Sequence, residues 1–191
     1  MMLFLDIALR NVGWVLCTDA GAVVRCGVIH TAKNDNAKKT EDLFRRAGEI
    51  AYQLEQIIGQ STSNGAPLPI TKIVCEAMSW PRDASSAVAM AIAWGAIAGV
   101  LNESTAQFKF VATQSAKRKF AGKRDADKKD VANGVANYYK DTFADNLDRH
   151  LLHLKNAEKE HVYDALAAGY TEMEKCKSPK KSRSSTKAKA T

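Results

Sequence analysis

Asp6 stands inside the run Leu3-Phe4-Leu5-Asp6-Ile7-Ala8-Leu9, where a carboxylate is expensive to bury unless it is paired or bound to a metal. From this run alone, an edge-strand aspartate reaching water reads equally well. Glu76 ends a second apolar run, Ile73-Val74-Cys75-Glu76. A carboxylate at the C-terminal end of a strand faces the crevice where α/β sheets place their sites. His161 and Asp164 are three residues apart and so share one face of a helix, with Ala165 and Ala168 continuing the stripe beside Val162, Leu166, Gly169 and Met173. Glu158 and Glu160 read as the solvated side of that helix. Carboxylates gathered from separate elements repel one another unless a cation neutralises them, and Mg²⁺ accepts carboxylates and water. Two such ions about 4 Å apart can clamp the attacking and leaving oxygens of a phosphodiester displacement. A histidine in the set serves either as a ligand or as a proton carrier near neutral pH.

Chemistry on phosphates also needs a cationic surface. Between Lys117 and Lys129 stand seven basic residues, Lys117, Arg118, Lys119, Lys123, Arg124, Lys128 and Lys129, against Asp125 and Asp127, a net of five positive charges. Such a patch gives salt-sensitive, sequence-independent affinity for nucleic acid, although a solvated charge run has the same composition. Trp80, in the loop after Glu76, can stack on an unpaired base or pack on its own domain. Gly95 and Gly99 let another helix approach closely, within the chain or across a dimer seam. His150 and His153 have a spacing that suits a metal on a helix, with no third ligand in view.

The elements that must position these residues follow from periodicity. Leu3 to Ala8, Gly13 to Thr18 and Ala22 to His30 read as an antiparallel meander, with Asp19-Ala20-Gly21 turning the last two. Glu41 to Ile58 sets Leu43, Phe44, Ala47, Ile50, Ala51, Leu54, Ile57 and Ile58 on one helical face, with Thr40 as N-cap and Gly59 just past the end. Ile70 to Glu76 is nearly continuously apolar, the pattern of a strand buried on both faces. The alanine-rich run Ala84 to Leu101, capped by Asp83, reads as a buried helix, short of the roughly 20 strongly apolar residues of a bilayer span. A strand over Phe108 to Ala112 and helices over Ser115 to Phe120, Lys128 to Lys140 and Ala157 to Glu174 complete the order. That order implies a mixed sheet, a meander plus parallel crossovers, in an α/β fold.

At 191 residues, 46% hydrophobic and 26% charged, the chain suits one domain with a real core and excludes a large two-domain enzyme. Its net charge of +7 is unevenly spread. Residues 175–191 hold seven basic groups and no acid, so residues 1–174 balance to zero. We read residues 1–174 as the folded domain and 175–191, built of Lys, Ser, Thr and Ala, as a basic disordered tail. Cys17, Cys26, Cys75 and Cys176 form no C-x-x-C pair and no regular ladder, which argues against a zinc site or disulfide scaffold and suits a reduced intracellular protein. The first residues lack a basic segment and a cleavage site for secretion. The expected location is the cytoplasm of a bacterium or of a virus-infected cell, with no membrane partner.

The stretch Leu5-Asp6-Ile7-Ala8-Leu9-Arg10-Asn11-Val12-Gly13-Trp14, the strand ending in Glu76, the run Ala126-Asp127-Lys128-Lys129-Asp130-Val131 and the segment His161-Val162-Tyr163-Asp164-Ala165-Leu166-Ala167 together resemble RuvC-type Holliday junction resolvases. The similarity runs in order over residues 2–173. It implies an RNase H-like fold with a five-stranded mixed sheet, a homodimer, dependence on Mg²⁺ or Mn²⁺, and paired nicks in a four-way DNA junction. Asp6, Glu76, His161 and Asp164 match the family's acidic tetrad, whose third member is an aspartate in some relatives and a histidine in others. Lys128 falls in the family's basic motif near the scissile phosphate. The family often carries an aromatic three residues after the strand glutamate; here Ser79 holds that place and Trp80 follows.

The expected activity is metal-dependent, structure-selective DNA cleavage, with two ions held by Asp6, Glu76 and Asp164 and with His161 completing the metal site or handling a proton. An RNase H-like nuclease acting on RNA or flaps, or an architectural DNA-binding protein without activity, shares the same features. The loop from Asp6 to Gly13 also has a loose likeness to the phosphate loop of actin-like ATPases, which need two such domains.

Overall fold

Gly21, with φ of 96°, closes a turn in which the Gly21 amide donates to the Thr18 carbonyl, and this returns β2 (Asn11–Cys17) into β3 (Val23–His30). A positive φ of this kind is open to glycine without strain. β2 also pairs antiparallel with β1 (Met2–Ile7), so the meander read from the sequence is present. The computed structural model describes residues 1–59, 69–78, 83–102 and 104–177. In it β4 (Lys72–Glu76) lies parallel to β1, and β5 (Gln107–Val111) lies parallel to β4, giving one sheet in the order β3-β2-β1-β4-β5.

The helices fall on both faces. α1 (Lys39–Ile58) and α2 (Ala84–Leu101) cover one, where Leu3, Leu5, Ile50, Leu54, Ile73, Ala93 and Ile97 form an apolar cluster. α3 (Thr113–Ala121), α4 (Lys128–Phe143), the short α5 (Leu147–His150) and α6 (Asn156–Lys177) cover the other, over Phe4, Val15, Val74, Val135 and Leu166. Alternation along each strand sends successive side chains to opposite clusters.

Several expectations change. The N-cap of α1 is Lys38, without a side-chain hydrogen bond, rather than Thr40, and Gly59 ends that helix in a right-handed conformation. Phe44, expected on the apolar face, is 81% exposed. The α2 cap is Asp83 as read, its carboxylate accepting from the Ser86 amide. But α2 is not a buried helix. Only Ala93, Ile97 and Leu101 are buried, although its length and apolarity would suffice to cross a bilayer. Composition cannot show this, because with apolar residues all round nothing in the sequence marks an inner face; what decides it is which elements cover the helix, here α1 and the sheet on the side of Ala93, Ile97 and Leu101. α6 is the reverse case, mixed in sequence yet buried from Ala165 through Thr171 because it lies between the sheet and α4.

Candidate active site

Leu5 pairs with Cys75 across the parallel β1–β4 ladder, so Asp6 and Glu76, one residue further, stand side by side at the C-terminal ends of adjacent strands, Glu76 last in β4 and Asp6 next to last in β1. Phe4 and Val74, two residues back on each strand, face the α6 side, and the pleat sends Asp6 and Glu76 that way too. α6 comes close because two glycines leave room. Gly13 is the direct partner of Asp6 in the β1–β2 register, and a Cβ there would lie 2.3 Å from the His161 carbonyl oxygen. Further along α6, a Cβ on Gly169 would lie 2.1 Å from the Phe4 ring. With the helix against the sheet, His161 Nδ1 stands 2.9 Å from Asp6 Oδ2, and Asp164, one turn on, faces the same space.

Asp6, Glu76, His161 and Asp164 thus line one cavity of about 330 Å³, together with Thr113, Lys117 and Lys128 and an apolar wall of Ile7, Met78, Met90 and Trp94. Burial is the main reason the Glu76 carboxyl is pushed up to about 7; the Thr113 hydroxyl, which donates to Glu76 Oε1, opposes the shift, and Asp6 and Asp164 add to it. Asp164 is raised as well, by burial and then by Asp6, against the pull of Lys128 and His161. Lys128 Nζ lies 3.6 Å from Asp164 Oδ2 and 3.2 Å from Glu160 Oε2. Burial works against its charge, but these carboxylates outweigh that and hold its pKa above the ordinary value.

Among the described residues, no group of three or more His, Cys, Asp and Glu side chains is drawn close enough to grip an ion as it stands. The donor chemistry nevertheless fits a hard divalent cation: three carboxylates from three elements share a cavity, and the proton affinity of two of them is raised by burial first and by their neighbouring carboxylates second, both of which a bound cation would offset.

The basic stretch divides. Lys117 Nζ donates to the Ala126 carbonyl, Lys119 pairs with Glu174, Lys123 with Asp130, and Lys128 with Asp164 and Glu160. Arg118, Arg124 and Lys129 are exposed. Trp80 and Ser79 lie outside the described residues, as does the tail beyond Lys177. His150 and His153 are not paired on a helix: α5 ends at His150, whose Nε2 is 2.8 Å from Asp145 Oδ2, whereas His153 Nε2 donates to the Cys26 carbonyl, although both line one cavity beside β3. A Cβ added at Gly95 or at Gly99 would meet no atom of the described residues within 4 Å, so close packing among them does not explain these glycines.

Three contributors escape sequence reasoning. Thr113 reaches Glu76 from the first turn of α3, Glu160 holds Lys128, and Asn11 touches His161. Thr113 and Asn11 do stand at the same edge of the sheet as the acids, next to a strand end, which is the one signal the sequence carries for them.

No family model and no curated protein sequence matches the chain. Solved structures are similar to it over most of its length, two of them RuvC structures. The Thermus thermophilus RuvC structure matches with a TM-score of 0.62 at 18% identity, covering 92% of this chain and 95% of that one. T. thermophilus RuvC in complex with a Holliday junction substrate matches with a TM-score of 0.59 at 18% identity, covering 90% and 92%. The fold is RuvC-like, an RNase H-like mixed sheet of five strands flanked by helices.

Proposed function

We propose that the protein is a structure-selective DNA endonuclease that resolves four-way junctions by paired nicks, acting as a homodimer with Mg²⁺ or Mn²⁺. The observation that carries this reading is the convergence of Asp6, Glu76, His161 and Asp164 on one cavity that Lys117 and Lys128 also line. The likeness to RuvC bound to a Holliday junction supports branched DNA as the substrate.

Asp6, Glu76 and Asp164 would hold the metal, which when bound activates a water and stabilises the leaving oxygen. His161 orients Asp6 through their hydrogen bond. Lys128, poised on Asp164 and Glu160, exchanges a carboxylate for an oxygen of the scissile phosphate. Arg118, Arg124 and Lys129 take flanking phosphates, and the basic residues from Lys175 onward, at the end of α6 and beyond it, add sequence-independent attraction. The exposed side of α2, with Val88, Gly95 and Gly99, is the surface assigned to the second copy, beside the exposed Phe108 and Phe110 of the edge strand β5. Burying that apolar surface accounts for its exposure on one chain.

The test is to incubate the protein, Asp6→Asn and Glu76→Gln with a labelled four-way junction, a flap, an RNA–DNA hybrid and linear duplex in Mg²⁺. Symmetric nicks in opposing strands of the junction are expected, lost in both variants while junction binding stays nearly intact. Full activity in either variant would refute the site. Preference for the flap or hybrid would refute the substrate, and metal-independent binding without nicking would refute the enzyme.

A further inference from the structure

His161 is held from both sides. Its Nδ1 lies 2.9 Å from Asp6 Oδ2, and its Nε2 lies 2.9 Å from the Asn11 side-chain nitrogen. Asn11 in turn presents Oδ1 to His30 Nδ1 at 2.7 Å. With the Asn11 amide oriented as the structure has it, one assignment of protons fits all three contacts. The Asn11 side-chain nitrogen donates, so His161 Nε2 accepts there, and Nδ1 is the ring nitrogen that donates to the Asp6 carboxylate. That orientation of the amide leaves its oxygen facing His30, which donates from Nδ1. The chain of donors runs His30 to Asn11 to His161 to Asp6, from an exposed side chain at the end of β3 to the carboxylate near the end of β1.

The backbone supports the same chain. Asn11 and His30 are direct partners in the β2–β3 register, and the Thr31 amide donates to the Arg10 carbonyl one step beyond them. Asn11 is therefore carried on a paired strand rather than on a free loop. Gly13, two residues further along β2, brings the His161 backbone down onto the same strand. The ring of His161 is fixed in position by its backbone, by Asp6 and by Asn11 together.

We infer that Asn11, backed by His30, is the positioning residue that, opposite Asp6, completes the lock on the His161 ring in its Nδ1–H tautomer, so that His161 serves the site by orienting Asp6. This rests on the proposed carboxylate site, and it narrows the role of His161: with Nδ1 donating and Nε2 accepting, neither ring nitrogen offers a free lone pair. Partners of this kind behind a reactive side chain typically change activity or metal affinity by about 10- to 100-fold when removed.

The test is long-range proton–nitrogen NMR of ¹⁵N-histidine-labelled protein without metal, which separates a locked ring from one averaging between tautomers, run beside junction cleavage. In the wild type the His161 ring is expected to be locked with the proton on Nδ1. In Asn11→Ala it is expected to average, with kcat falling about tenfold and KM little changed. His30→Ala alters an exposed side chain and guards against a folding defect in the first variant; it is expected to loosen the ring in part. An averaging wild-type ring, or a locked ring in Asn11→Ala, would overturn the inference. Absence of cleavage by the wild type would instead refute the proposed function, and the ring spectra would still decide the role of Asn11.

Discussion

Gly13→Ala is the substitution that most directly tests how the fold builds the site. The new Cβ would lie 2.3 Å from the carbonyl oxygen and 2.5 Å from the carbonyl carbon of His161, whereas ordinary contact begins near 3.4 Å. Neither obstacle is a flexible side chain, so α6 must retreat from β2 by about 1 Å. Overpacking of this kind destabilises by about 1–3 kcal/mol. In a domain of this size that is a fall in Tm of about 2 to 12 °C. The retreat also carries His161 away from Asp6, the register partner of Gly13, and a misplacement near 1 Å can reduce turnover about 100-fold. Gly169→Ala is the control. Its Cβ would meet the Phe4 ring at 2.1 Å, a clash of similar severity, but eight residues along α6, about 12 Å from His161. Thermal unfolding should show both variants destabilised, and junction cleavage at a temperature where both are folded should show a much larger loss for Gly13→Ala. Equal activities in the two variants, or an unchanged Tm in Gly13→Ala, would refute the reasoning.

Two further outcomes follow from the electrostatics. A carboxyl raised from 4.5 to about 7 stabilises the metal-free fold in its protonated form, so that contribution is fully present below pH 4.5 and is lost as pH rises through 7. The difference is about 3 kcal/mol, and Glu76→Gln should accordingly raise the Tm of metal-free protein at pH 8 by about 6 to 12 °C, with the advantage shrinking toward pH 5 and on addition of Mg²⁺ to the wild type. A variant no more stable than wild type at pH 8 would refute the burial of that charge. Replacing Arg118, Arg124 and Lys129 together by Gln should reduce the slope of log affinity against log salt by about 3, since each phosphate contact contributes about 0.9. An unchanged slope would move the DNA surface elsewhere.

The acids are legible in the sequence because an ionisable group inside an apolar run has few explanations, and Asp6 and Glu76 each interrupt or end one. His161 and Asp164 are legible because helical spacing is short-range geometry. Their partners are not. Thr113 reaches Glu76 across 37 positions and Asn11 reaches His161 across 150, and a threonine or an asparagine near a strand end has many ordinary uses. Trp80 suits stacking by its type and its place after Glu76, yet it falls outside the described residues, so the sequence alone speaks for it.

Local patterning by itself determined the order of the strands and of every helix but the short α5, the meander turned at Gly21 and the two acids near strand ends, because each depends on neighbours a few residues apart. Only tertiary structure decided which helix is inside. The wholly apolar α2 keeps much of its surface exposed, and the mixed α6 is buried across the sheet, since burial depends on what covers a helix as well as on its own residues. It likewise decided which basic residues are held by acids of the same chain. Lys119, Lys123 and Lys128 are indistinguishable in sequence from Arg124 and Lys129, and it is the fold that brings Glu174, Asp130, Glu160 and Asp164 against the first three.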